Sequence, residues 1–465
     1  MQKKLLVAAV LSAFAGAASA QSANVTLYGT WVPNFESASA TGADASTTAG
    51  VGSSTRTAAS LTATPANQSS RSRNNPAGSN FGIRGTEDLG NGLSAWFQME
   101  MAVQSGNTPP NIGTTNGTGV TNRNTGVGLR SNTWGTALIG LWDTPFNQMY
   151  GATNINGRTG GPATVFNANL MGSNTLGAVG AYSGQAVTAW CSAVVNPTAS
   201  SGSCLNYGTN FDRRDNNQLQ WWSPNWNGFE VKASYNYVGD SNAVTASSRA
   251  AGAIKATAWG LTGSYTNGPL MIGYAYERQI DRLAYAAANG AIGGGNGTGT
   301  FTITAAGVSG STGVGHRLGG RYTFALGGGS SIGIGALWES QKFNVSYGTA
   351  VATDLTELKK TAYRLQGNFA TGSHFFGLEY VRSNELKGSL TGSTAATVFN
   401  GGGTAARGVL LSYDYMLSKR TSAGAYYMDV RNDSNAAYSG PVFAGIATAA
   451  GADPKYIGLR MRHTF

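Results

Sequence analysis

The chain has 465 residues, only 11% of them charged, against roughly a quarter in soluble domains. It carries 67 glycines and 20 tyrosines at a mean hydropathy of -0.16, which fits neither a disordered chain nor a helical membrane protein. The composition fits strands with one face to lipid and one to water, so that the average hides the membrane. A net charge of +10 is spread without a recognisable motif, so no nucleic acid partner is expected.

Residues 1–20 read as a cleaved secretory signal. Lys3-Lys4 give the positive region, Leu5 to Ala15 the apolar core, and Ala18-Ser-Ala20 the cleavage site. Residues 21–465 form the mature chain, which has no apolar run long enough for a membrane helix. Val25 to Trp31 alternates as a strand, with Val25, Leu27 and Trp31 on one face and Thr26, Tyr28 and Thr30 on the other. Glu36 to Ser79 is loop-like by composition. Asn80 to Glu87 then turns through Asp88 to Gly92 into Leu93 to Met101. This pair is apolar on the side of Phe81, Ile83 and Phe97 and polar on the side of Arg84, Gln98 and Glu100.

The same unit of long polar loop, strand, tight turn and strand then recurs. Later tight turns are expected at 131–134, 224–227, 267–269, 326–329, 371–373 and 416–419, rich in the Gly, Asn and Pro such turns need. Long connections are expected near 36–79, 104–122, 142–216, 239–256, 281–315, 346–359, 385–405 and 432–454. Seven short turns strictly alternating with eight long loops join sixteen strands. An even strand number with one short-turned end is the pattern of an all-β, antiparallel transmembrane barrel of the bacterial outer membrane. Its terminal strand, Lys455 to Phe465, closes on Val25 to Trp31 and removes both sheet edges.

The stretch 142–216 is too long for an idle connection, so it is expected to fold into the barrel as the third outer loop and narrow it. It carries Asp143, Asp212 and Asp215 against Arg158, Arg213 and Arg214, and is neutral overall. It also holds Cys191 and Cys204, the only cysteines. Export permits a disulfide between them, which would stabilise by roughly 3 kcal/mol in the chain-entropy picture; two free thiols are the alternative. No metal site is expected there, because no histidine lies nearby.

Val25-Thr-Leu-Tyr-Gly29, Phe81-Gly-Ile-Arg-Gly-Thr-Glu-Asp-Leu-Gly90, Val127-Gly-Leu129, Leu138-Ile-Gly-Leu-Trp-Asp-Thr-Pro145 and the terminal Phe465 occur in that order. Together they resemble the general diffusion porins of Gram-negative bacteria, in particular those of β-proteobacteria, over the full mature length. The resemblance implies a sixteen-stranded trimeric porin without cofactor. Its third outer loop would fold inward against a cluster of wall arginines. It further implies passage of ions and small hydrophilic solutes, and Phe465 as a signal read by the barrel assembly machinery. Outer-membrane lipid and lipopolysaccharide are the expected surroundings. Arg123 matches a wall arginine of the family. Asn80 and Leu141 stand where relatives often carry arginine, and Thr144 to Asn156 lacks the usual carboxylates.

With so few acids on the loop, the wall arginines are expected to act unopposed and favour anions weakly to moderately. The alternative is that most of them pair with acids or lie in outer loops. Arg84 falls on the wet face by alternation. Arg71 and Arg73 face the channel mouth or merely solvent, and one of Arg213 and Arg214 points inward. Tyr28, Trp96, Trp134, Trp221, Trp222, Trp226 and Trp259 are expected in interfacial girdles. A substrate-specific channel would instead need an aromatic track on the wet face, where only Tyr28 and Trp96 clearly fall. No nucleophile elbow, P-loop or zinc-protease motif is present, so no enzyme is expected. Besides the substrate-specific channel, the competing function is a surface adhesin barrel.

Overall fold

The computed structural model describes residues 24–43, 67–75, 78–103, 123–157, 170–171, 211–238, 256–282, 308–347, 355–390, 402–434, 436, 438 and 451–465. Almost all of this is strand. β1 (Asn24–Trp31) and β2 (Asn34–Thr41) are followed by β3 (Gln68–Asn75), β4 (Asn80–Gly90), β5 (Leu93–Ala102), β6 (Thr125–Ser131) and β7 (Gly135–Asp143). A short helix, α1 (Pro145–Ala152), precedes β8 (Arg214–Trp222), β9 (Phe229–Val238), β10 (Ala256–Asn267) and β11 (Leu270–Ile280). Then come β12 (Val308–Gly327), β13 (Ser330–Tyr347), β14 (Leu355–Thr371), β15 (His374–Ser383) and β16 (Lys387–Leu390). β17 (Ala406–Met416), β18 (Thr421–Asn432) and β19 (Asp453–Thr464) complete the order.

Three of these elements continue their predecessor. β1 and β2 both pair with β19, and they pair with β4 and β3 respectively, so each couple is one interrupted wall strand. β15 and β16 both pair with β14 and form a third such couple. The wall is therefore sixteen antiparallel strands, each bonded to its sequence neighbours. It closes where Thr30 meets Thr464 and Ser39 meets Lys455. Closure matters energetically because an open edge in lipid would leave unpaired backbone groups.

Alternation along each strand decides which side chains face inward. On β11, Met271, Ala275, Glu277 and Gln279 are buried while Ile272 and Tyr274 are exposed. Val25, Leu27, Phe35, Ile139, Leu219, Leu318 and Ile457 are among the large apolar side chains left exposed, the property expected of a lipid-facing surface. No described helix is long and apolar enough to cross a membrane.

The seven short turns fall where expected. At the β6–β7 turn Gly135 has φ +90°, and a Cβ there would stand 2.8 Å from the Ser223 carbonyl carbon. Several long-loop boundaries differ from expectation: β14 begins at Leu355, inside the expected 346–359 loop, and β16 (Lys387–Leu390) lies inside 385–405. Residues 36–79 contain β2 and β3, whose Ser, Ala and Asn side chains imitate loop composition. In β2, Asn34, Glu36, Ala38 and Ala40 are buried and Phe35 is exposed, so the alternation is real but carried by small groups. β12 starts at Val308 rather than after 315, because a Gly/Ser/Thr run pairs with β13 without any apolar signal of its own.

Candidate functional site

Helix α1 is positioned from the sequence upward. Thr144 caps it by accepting from the Asn147 N–H at 3.2 Å, and Pro145 sits in the first turn, where a missing N–H costs nothing. The Thr153 hydroxyl donates to the Met149 carbonyl at 3.1 Å and helps end the helix. Phe146, Met149 and Tyr150 share one face, at the three- and four-residue spacing of a packed helix side, and are buried. Phe146 lies 5.4 Å from Phe211, which lies 5.4 Å from Phe343. Gly315 makes room for this stack, since a Cβ there would come within 2.6 Å of Phe211.

The segment is held by side chains of inward parity on β12, β14 and β15. Arg317 Nη1 donates to the Phe146 carbonyl at 2.8 Å, and its guanidinium lies 4.2 Å from the Phe146 ring. Arg321 donates to Ala152 at 3.0 Å. Arg364 donates to the Thr153 hydroxyl at 2.8 Å and lies 4.4 Å from the Tyr150 ring. Asn368 donates to Ile155 at 2.9 Å, and Asn156 donates to the Glu379 carboxylate at 3.2 Å. The Arg321 bond satisfies the Ala152 carbonyl at the helix end, which has no partner within the helix. Burial raises the Tyr150 phenol above its ordinary range.

Two ion clusters flank the segment. Arg213 pairs with Asp215 at 2.9 Å and also with Glu277, and Arg282 pairs with Asp215 at 3.0 Å. Arg317 pairs with Asp212 at 2.7 Å and also with Glu339. Burial pushes the Asp212 carboxyl up to about 6, although the Arg317 guanidinium pulls it down. Burial opposes the charge on Arg213, but Asp215 and Glu277 outweigh it and hold the guanidinium above its usual range.

Several inward arginines therefore have carboxylate partners, so the expectation that the wall arginines stand unopposed holds for only part of them. Arg73 pairs with Glu36 at 2.6 Å, and Arg123 pairs with Glu100. Arg214 pairs with Asp143 at 3.0 Å, and both contact Asn124. Arg460 is paired with Asp414. Arg71 is exposed on β3 and bonds to Gln68. Of Arg213 and Arg214, Arg213 is the buried one. Arg84 is exposed on the inward parity of β4, 5.0 Å from the Tyr28 ring. Arg158, Cys191 and Cys204 lie outside the described residues. Phe465 exchanges backbone bonds with Gly29 at 3.1 and 3.2 Å.

Among the described residues, six inward cations have no carboxylate within ion-pair distance: Arg84, Arg130, Lys232, Arg321, Lys360 and Arg364. Sequence reasoning named only Arg84 of these. It also missed Glu277, Arg317 and Glu339. Their signal was legible as charge at the inward parity of strands otherwise rich in Gly, Ala and outward apolar groups. The aromatic girdle needs correction too. Trp134, Trp226 and Trp259 are exposed as expected, and Trp96 has the inward parity its alternation indicated, but Trp222 also carries inward parity and clusters with Trp96 and Trp142.

Residues 7–435 match the family described as Gram-negative porin, and the chain belongs to that family. It is 27% identical over 289 residues to an outer membrane porin protein of Bordetella pertussis. That match covers 60% of this chain and 60% of the relative, so it spans less than two thirds of the relative's length. The fold is similar to that of an anion-selective porin from Comamonas acidovorans, with a TM-score of 0.58 and 18% identity, over 95% of this chain and 100% of that one. It is also similar to Salmonella typhi OmpF solved with daunomycin, with a TM-score of 0.51 and 13% identity, over 95% of this chain and 97% of the other. Family and barrel together place the protein in the outer membrane.

Proposed function

We propose that the protein is a porin: a water-filled channel for passive diffusion of ions and small hydrophilic solutes. The observation that carries this is a closed sixteen-strand wall whose inward side chains are charged and polar and whose outward ones are apolar. The stretch after β7 narrows the channel in this reading, supported by the bonds that tie residues 146–156 to β12, β14 and β15. Of the six inward cations without carboxylate partners, the four that are not buried, Arg84, Arg130, Lys232 and Arg321, favour anions, because charge on a channel wall attracts the opposite ion. Liposome swelling graded by solute size tests the channel. Equal uptake of unrelated small solutes supports it, and absence of any conductance favours an adhesin. Reversal potentials in a KCl gradient test the selectivity, and a cation preference overturns it.

The same reading takes residues 1–20 as a cleaved signal, the chain as a homotrimer, and Phe465 as the mark recognised by the assembly machinery. Cys191 and Cys204 are bridged in it. Lipopolysaccharide is the expected neighbour in the outer leaflet. Two outward register rows support that partner: Lys342–Lys359–Lys387 and Arg382–Arg407–Arg431. A recess of about 370 Å³ lined by Tyr380, Arg407 and Arg431 lies on the second row. Rows of cations near the long-loop end suit lipid phosphates, which form strong charge-assisted bonds with arginine. Mass spectrometry of the mature chain and of its disulfide, and native mass spectrometry of the assembly, test these points.

A further inference from the structure

Below the loop segment, toward the short-turn end, the inner wall carries a cluster unlike the rest of the lumen. Trp96 on β5, Trp142 on β7 and Trp222 on β8 lie with ring centroids 5.6 to 6.2 Å apart. The register explains how strands two apart bring indoles together. Between β5 and β7, the inward positions of β6 are Gly126 and Gly128. A Cβ at Gly128 would stand 2.9 Å from Trp96 Nε1, and one at Gly126 would stand 3.5 Å from the Trp142 ring. The glycines leave a floor on which two indoles can lie.

Cations surround these rings. Arg130 follows Gly128 on the same face of β6, opposite Ser94 and Thr136, with its guanidinium 5.6 Å from the Trp96 ring. Lys232 is opposite Trp222 and lies 5.2 Å from its ring. Arg84 is opposite Gln98, one inward position beyond Trp96. Arg84 and Arg130 are exposed, and among the described residues neither has a carboxylate within ion-pair distance. Arg84, Trp96, Gln98, Arg130, Trp142 and Trp222 line a common recess of about 340 Å³, a size that suits a small ligand.

We propose that this recess is a solute-binding subsite for a small anion bearing a flat ring, an aromatic carboxylate. Trp222, partly exposed and packed against the buried Trp96 and Trp142, supplies a surface on which a ring stacks, and the two guanidiniums supply counter-charge for the carboxylate. A neutral sugar would stack but leave both guanidiniums without a counter-charge. A small aliphatic acid would meet the charge but not the rings. Both halves of the ligand are needed to use the site. The inference rests on the channel reading, to which it adds a preferred solute class at a named place.

Single-channel recording in planar bilayers tests it, with benzoate as the probe and acetate and benzyl alcohol as half-probes. Benzoate is expected to block the KCl current at concentrations roughly tenfold below either half-probe, equivalent to about 1.4 kcal/mol of combined recognition. The R84Q/R130Q pair is expected to reduce the benzoate-to-benzyl alcohol ratio severalfold, and W222L to reduce the benzoate-to-acetate ratio severalfold while leaving acetate unchanged. Current in KCl with equal weak block by all three probes overturns the subsite and leaves the channel intact. Absence of current in KCl overturns the channel reading, and the subsite with it. Both ratios unmoved by their respective variants, each variant checked as folded by its heat-modifiable mobility, also overturns the subsite.

Discussion

The lumen has two regions that use the same residue types to opposite ends. Around α1, Arg213, Arg282 and Arg317 are buried and each has a carboxylate partner: Asp215, Glu277, Asp212 or Glu339. Toward the short turns, Arg84 and Arg130 are exposed, lie against aromatic rings and have no such partner. The difference teaches where field is available to a solute. A buried guanidinium needs local compensation, from a carboxylate or, for Arg364, from the Thr153 hydroxyl and the Tyr150 ring, because an uncompensated charge out of water costs several kcal/mol. An exposed one keeps its hydration and projects its charge into the channel. Arginine count on the wall is therefore a poor guide to selectivity, and burial sorts the structural arginines from those that act on ions.

The largest effect should come from breaking the paired region. D215N removes the carboxylate shared by Arg213 and Arg282, and should cost about 3–5 kcal/mol through the uncompensated charges left behind. The measurement is the temperature at which the folded band is lost on a semi-native gel, and an unchanged temperature would show that water already reaches the pair. G128A acts on the other region. Its Cβ would meet the wall and the Trp96 indole, at about 1–3 kcal/mol for overpacking. Altered tryptophan fluorescence with a lowered unfolding temperature is expected.

Charge reversal at the unpaired cations sharpens the contrast further. R84E/R130E changes the wall by four unit charges and should shift the anion-to-cation permeability ratio toward cations by more than about threefold, the effect of one such charge. A unit charge some 6 Å away in a water-like medium contributes about 0.7 kcal/mol. Reversing Arg460, which Asp414 neutralises, should shift selectivity less at a greater cost in stability. The smallest effect is in pH. Asp212 is ionised above about 6, and as pH falls through that value its charge is lost while Arg317 keeps Glu339. One negative charge leaves the lumen, so anion preference should rise modestly between pH 7 and 5. The D212N variant should carry the raised preference at pH 7 and lose the pH step.

What was legible in the sequence follows from period and spacing. Strand alternation, the separation of short turns from long loops and the pairing of the last strand with the first are local or countable, and they gave the wall without coordinates. Strand parity alone placed Arg84 on the wet face, but the helix after Thr144-Pro145 was not read, although its cap and first-turn proline are local signals. The boundaries of β2, β3 and the first half of β12 were hidden because Ser, Ala, Asn and Gly alternate without contrast in hydropathy. Their strand character comes from bonding to neighbours.

The ion pairs could not be read at all. Arg213 meets Glu277 at 64 residues' separation, and Asn156 meets Glu379 at 223. Such distances along the chain are closed only by the barrel. The same holds for Trp96, Trp142 and Trp222, which look like separate strand-end aromatics until the register sets them on one wall. By itself the sequence determined a barrel and a long third loop, because side-chain period and turn chemistry are properties of neighbours. Only the tertiary structure decided which charges are spent on holding that loop and which remain for a solute, because neutralisation depends on which strands are brought face to face.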